Sequence, residues 1–151
     1  MLEVPFTKTV GTGDSWTIFY VGGPSVLDRR LLETTRECML AGIRMVRPGI
    51  QRGDMGHRIQ KMAEGERFSV VREYCGHGIG EGFHEEPQVV HYGKPGTGLE
   101  LQEGMVFTIE PMINAGKAAN KLLPDAWNVG RSLIPILHCR PANRCKDLGY
   151  R

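Results

Sequence analysis

The stretch Tyr74-Cys75-Gly76-His77-Gly78-Ile79-Gly80-Glu81-Gly82-Phe83-His84-Glu85-Glu86-Pro87 decides how the rest of the chain is read. Four glycines alternate over seven residues, at 76, 78, 80 and 82, and two histidines stand seven apart. Residues without a Cβ let the backbone bend tightly and approach a ligand, and such a loop fills a core poorly. A histidine held between glycines therefore reads as a ligand or proton carrier, although a lone histidine is usually a packed, hydrogen-bonded one.

Downstream lies Phe107-Thr108-Ile109-Glu110-Pro111. Strand alternation points Thr108 and Glu110 to one face, and a carboxylate there is costly to bury unless a cation or hydrogen bonds neutralise it. The plainer reading, an edge glutamate ended by a proline, has at least equal weight on the strand alone. Upstream, Asp14 in Gly13-Asp14-Ser15 reads by itself as a turn residue. Taken together, Asp14, His77, His84 and Glu110 mix carboxylate and imidazole without thiolate, which suits a divalent Mn, Fe, Co or Zn ion. Two such ions about 3.5–4 Å apart can activate a bridging water and polarise a carbonyl, so hydrolysis is the natural chemistry. Spacing alone leaves a structural metal site equally open.

Around these segments the chain alternates helix and strand signals. Between Pro24 and Pro48, Leu32, Met39, Ile43 and Val46 recur at helical spacing, with Arg29, Arg30, Glu33, Arg36 and Glu37 for the wet face. Ser25 with Asp28 supplies a cap, and Arg47-Pro48-Gly49 a stop. Met55, Ile59, Met62 and Ala63 predict a second helix from about Asp54 to Glu66, capped by Asp54. Strands are expected at Thr17–Val21, Phe68–Val71, Gln88–Tyr92 and Met105–Ile109. The mixture predicts an α/β or α+β domain.

The 151 residues, 40% hydrophobic and 24% charged, fit one globular domain without disulfide staples. A net charge of +2 and 7% aromatics give no support to a nucleic-acid surface. No basic start leads into an apolar run, and no stretch of about 18 apolar residues occurs, which predicts a cytoplasmic, non-membrane protein. Cysteines 38, 75, 139 and 145 form no C-x-x-C pair and read as small buried residues. Charge divides unevenly. Residues 1–117 carry 13 basic against 15 acidic side chains, whereas residues 118–151 carry 6 against 2 and contain no Glu.

At these residues the chain resembles the type I methionine aminopeptidases of metallopeptidase family M24. The likeness runs from Gly13-Asp14-Ser15 to Ala115-Gly116-Lys117. It includes Met45-Val46-Arg47-Pro48-Gly49, the block Ser69 to Gly80, Gly82-Phe83-His84-Glu85-Glu86-Pro87 and Phe107-Thr108-Ile109-Glu110-Pro111-Met112. The resemblance implies an α+β pita-bread fold, incomplete here, with an aminopeptidase-like part at 1–117 and a divergent basic tail at 118–151. It implies removal of the initiator methionine from the N-terminal peptide of nascent proteins, chemistry for which proximity to the ribosome is in keeping.

Residue by residue, the resemblance makes Asp14 a bridging metal ligand, His77 the metal-binding histidine, and Glu110 both a metal ligand and the proton shuttle. His84 contacts the substrate carbonyl, and Cys75 lines the methionine pocket. Glu3 falls where the family has its first aspartate. A further upstream histidine has no counterpart, and the final bridging glutamate would fall in a tail that has no Glu. The resemblance thus implies two metal ions in the family and one or none in this chain. An abrupt end of likeness at the point where charge shifts reads as a reading-frame change or a truncated gene model. The competing functional class is an inactive pita-bread fragment serving as a binding module, or a non-functional truncated product.

Overall fold

The computed structural model describes residues 22–120 in full, together with the backbone of five short strands beside that range. Two helices carry most of the packing. Helix α1 spans Val26–Met45, and its start follows from chemistry the sequence shows. The Ser25 hydroxyl accepts the Asp28 N–H at 3.1 Å, and the Asp28 carboxylate accepts the Ser25 N–H at 3.2 Å. These reciprocal bonds satisfy two donors that the first turn otherwise leaves unpaired. The predicted stop holds too, with Pro48 unable to continue the helix and Gly49 at φ +85°.

The buried stripe of α1 differs from the one expected. Ile43 and Val46 are exposed, while Cys38, Ala41 and Gly42 are buried and Leu31 packs onto the same core. The stripe is built from small residues because α1 lies tightly on the second helix. A Cβ on Gly42 would stand 2.8 Å from Ile59 Cδ1.

Helix α2 spans Arg52–Gly65, so it begins before Asp54. The N-cap is Gln51, and Asp54 acts from the third helical position, its Oδ2 accepting the Gln51 N–H at 3.1 Å. The earlier start follows from an outside supply of acceptors. Leu99 O takes the Arg52 N–H and Thr97 O the Gly53 N–H, both at 2.8 Å, so first-turn donors are paired without a side-chain cap at position 54. Met55, Ile59 and Ala63 are buried as their spacing predicts.

Strands β1 (Leu2–Val4) and β2 (Thr17–Phe19) pair antiparallel, with Glu3 opposite Ile18. Strand β3 (Phe68–Val70) pairs antiparallel with β6 (Ile113–Ala115), and β4 (Gly76–Gly78) with β5 (Glu85–Val89). Beyond them β7 (Lys121–Leu122), β8 (Val129–Arg131) and β9 (Ile134–Pro135) form a small antiparallel sheet. Two strand expectations shift. The strand expected at Gln88–Tyr92 lies at Glu85–Val89, and Met105–Ile109 forms only a single bridge, Phe107 opposite Gly78.

One main core joins these layers. Cys38 from α1, Met55, Ile59 and Ala63 from α2, Phe68 and Val70 from β3, Val89 from β5 and Ile113 from β6 are all buried together. Phe107 and Ile109 pack against this core from the segment that carries Glu110. Burial of apolar surface thus fixes that segment at its odd positions while Thr108 and Glu110 project elsewhere.

Candidate metal centre

Strand β4 sets His77 into the protein. Neighbouring backbone, and not a ligand, comes close to the glycine-rich block. A Cβ on Gly76 would overlap the Thr108 carbonyl, and one on Gly78 the Glu86 carbonyl. His77 is only 1% exposed, so its orientation is settled by packing and hydrogen bonds. Its Nδ1 lies 2.9 Å from Gly78 O. A carbonyl only accepts, so Nδ1 carries a proton, and in the neutral imidazole the lone pair is then on Nε2.

That lone pair faces Glu110. His77 Nε2 and Glu110 Oε1 are 3.6 Å apart, longer than a hydrogen bond. The gap is short enough for both atoms to reach one cation at ordinary nitrogen and oxygen ligand distances of about 2.0–2.2 Å. The His77 side chain is buried and the Glu110 side chain 39% exposed, so the pair is open on one side.

Further hydrogen bonds hold the two donors. The Thr108 N–H donates to His77 O at 2.8 Å, while the Thr108 hydroxyl accepts the His77 N–H at 3.0 Å and donates to Glu110 Oε1 at 2.7 Å. The Glu110 N–H donates to Nε2 of His91 at 3.0 Å. His91 is buried, and desolvation pushes its pKa down to about 3, so the imidazole stays neutral and able to accept. The sequence places Thr108 beside Glu110 but gives little sign of a role for His91. Its sole signal is an imidazole within the apolar run Val89-Val90-His91-Tyr92.

His84 joins the same neighbourhood. Its ring centroid is 4.3 Å from that of His77, and Phe83 stands edge-on to it at 4.6 Å. Cys75, next to the glycine block, is buried. Charged residues around the loop engage it and its surroundings: Glu85 accepts the Gly82 N–H, Glu86 accepts the Gln88 N–H, and Glu73 accepts from Asn120. Asp14 lies outside the described residues, and for Glu3 only the backbone is described. His77, His84 and Glu110 are thus brought together. One imidazole nitrogen and one carboxylate oxygen converging without thiolate fit a divalent cation.

Residues 6–132 match the model of metallopeptidase family M24. The chain belongs to this family. The match continues beyond the Lys117–Ala118 boundary at which the charge changes sign. A methionine aminopeptidase of Salmonella typhimurium is 53% identical over 128 residues, covering 85% of this chain and 48% of that relative. The crystal structure of methionine aminopeptidase from Rickettsia prowazekii superposes with a TM-score of 0.74 at 47% identity, covering 78% of this chain and 48% of that one. A prolidase from Pyrococcus furiosus gives a TM-score of 0.56 at 26% identity over 65% of this chain and 28% of its own. The M24 chain therefore holds a portion of the pita-bread fold and spans about half the length of the methionine aminopeptidases it matches. Among the described residues no helix is long and apolar enough to cross a membrane.

Proposed function

We propose that this M24 chain carries part of the active site of a metal-dependent aminopeptidase that removes the N-terminal methionine from nascent proteins. The observation that carries the reading is the convergence of His77 Nε2 and Glu110 Oε1, 3.6 Å apart, with the other nitrogen of His77 committed to Gly78 O. Half-identity to methionine aminopeptidases supports this reading over the inactive binding module.

In this reading His77, Glu110 and Asp14 hold a divalent cation, Co, Mn, Fe or Zn, with Glu3 at the remaining carboxylate position. These residues are the part of the family's two-ion site that this chain is proposed to supply. The bound cation supplies Lewis acidity that polarises the scissile carbonyl and activates water. Glu110, reachable from solvent, takes the proton of the attacking water and passes it to the leaving amine. His84 donates to the oxygen on which negative charge develops. Cys75 lines the pocket for the methionine side chain. The division into a catalytic part at 1–117 and a basic tail at 118–151, a cytoplasmic location and work near the ribosome belong to the same proposal.

The test offers a Met-Ala-Ser peptide to the purified chain loaded with Mn or Co and measures methionine release. Release above that of the His77→Ala variant is expected. Equal release from the two proteins would sink the enzyme reading, and calorimetric titration would count the ions bound.

A further inference from the structure

We infer that Thr108 is a positioning residue that, with His91, aims Glu110 at His77 and so sets the metal affinity of the site. This rests on the proposed metal centre. Residues 108 to 112 lie in no strand, and only Phe107 bridges to β4. The backbone ladder that would ordinarily order such a segment is incomplete here, and Pro111 has no N–H to offer. Glu110 has a long side chain, 39% exposed, and would otherwise sample many rotamers.

Two hydrogen bonds take over that ordering. On the backbone side, the Glu110 N–H is held at 3.0 Å by Nε2 of His91, which is buried. On the carboxylate side, the Thr108 hydroxyl holds Oε1 at 2.7 Å, and Oε1 is the same oxygen that faces His77 Nε2. The hydroxyl has one proton. Because its oxygen is already engaged by the His77 N–H at 3.0 Å, that proton is directed to Glu110. One side chain thus ties the backbone of one donor residue to the carboxylate of the other. A site ordered in advance loses less freedom on binding its ion, and partners of metal ligands commonly govern affinity in this way.

The test compares Mn(II) affinity by calorimetry for the full chain and for Thr108→Val and Thr108→Ser, with thermal melts and His77 amide hydrogen exchange measured on each. Thr108→Val is expected to bind Mn(II) about 10–100-fold more weakly and to exchange the His77 amide faster, while Thr108→Ser stays within about threefold of the unsubstituted chain. Where Thr108→Val does not melt cooperatively, His91→Phe and His91→Gln carry the same comparison, with loss expected for the first and retention for the second. Equal affinity for Thr108→Val and the unsubstituted chain would overturn the positioning role while leaving the metal centre standing. So would a Thr108→Ser variant as weak as Thr108→Val, because packing and not the hydroxyl would then be at work. Absence of Mn(II) binding by the unsubstituted chain would overturn the metal centre itself and the positioning role with it.

Discussion

The carbonyl oxygen of Thr108 lies against the bare Cα of Gly76, in space that any side chain at position 76 would occupy. The atom in the way is backbone, held by the bridge between β4 and Phe107, so it cannot rotate aside. Gly76→Ala is therefore expected to push Thr108 away from His77 and to cost about 1–3 kcal/mol, the range for overpacking a tight site. Urea unfolding would measure the loss. Unchanged stability would show that the two segments separate freely.

A cation held as proposed by His77 and Glu110 would bind the folded chain and not the unfolded one. Mn(II) at about 100 times its dissociation constant should then stabilise the protein by roughly 2.7 kcal/mol. Chelation with EDTA should remove the increment, and His77→Ala should never show it. Differential scanning calorimetry with and without the metal reads all three.

Ile59 is fully buried between α1 and the strands, where it meets Gly42 and the core around Met55. Ile59→Ala leaves a cavity that the rigid backbone of α1 cannot close, and a loss of about 2–5 kcal/mol is expected. Exposed Ile43, the residue next to Gly42 in α1, provides the contrast. Ile43→Ala should change stability by less than about 0.5 kcal/mol in the same denaturant series.

Burial raises the Cys38 thiol from 9.0 to about 11. As pH rises, the unfolded chain therefore releases this proton first. The stabilisation is complete below about pH 9 and declines as pH climbs toward about 11, by about 2–3 kcal/mol in all. The melting temperature should fall through that window, and less steeply in Cys38→Ala. At pH 8 the thiol should resist alkylation until the protein is unfolded.

Much of this arrangement is legible in the residues themselves. Ser25 and Asp28 announce the start of α1, and the period of Met55, Ile59 and Ala63 announces α2, because capping and amphipathic spacing are local signals. His77 and Glu110 are legible as donors because glycines and a terminating proline make poor core material around them. What escapes the sequence depends on distant partners. The first turn of α2 is paired by Thr97 and Leu99, so its start precedes Asp54. The buried stripe of α1 runs through Cys38 and Gly42, which hydropathy underrates, because closeness to Ile59 selects small residues over large apolar ones. His91 could not be assigned its partner because the contact joins an imidazole to a backbone N–H nineteen positions away.

The donor pair also has a consequence for how the site comes into being. His77 and Glu110 are joined by a single excursion of roughly thirty residues, and the entropy of closing such a loop grows only slowly with its length. Every group seen to orient them, from Gly76 and Gly78 through His91 to Thr108, is encoded between β3 and β6. Half of the proposed metal site is thereby written into one contiguous passage of the chain, able to take shape as soon as that passage folds against α2 and independent of the order in which more distant segments arrive.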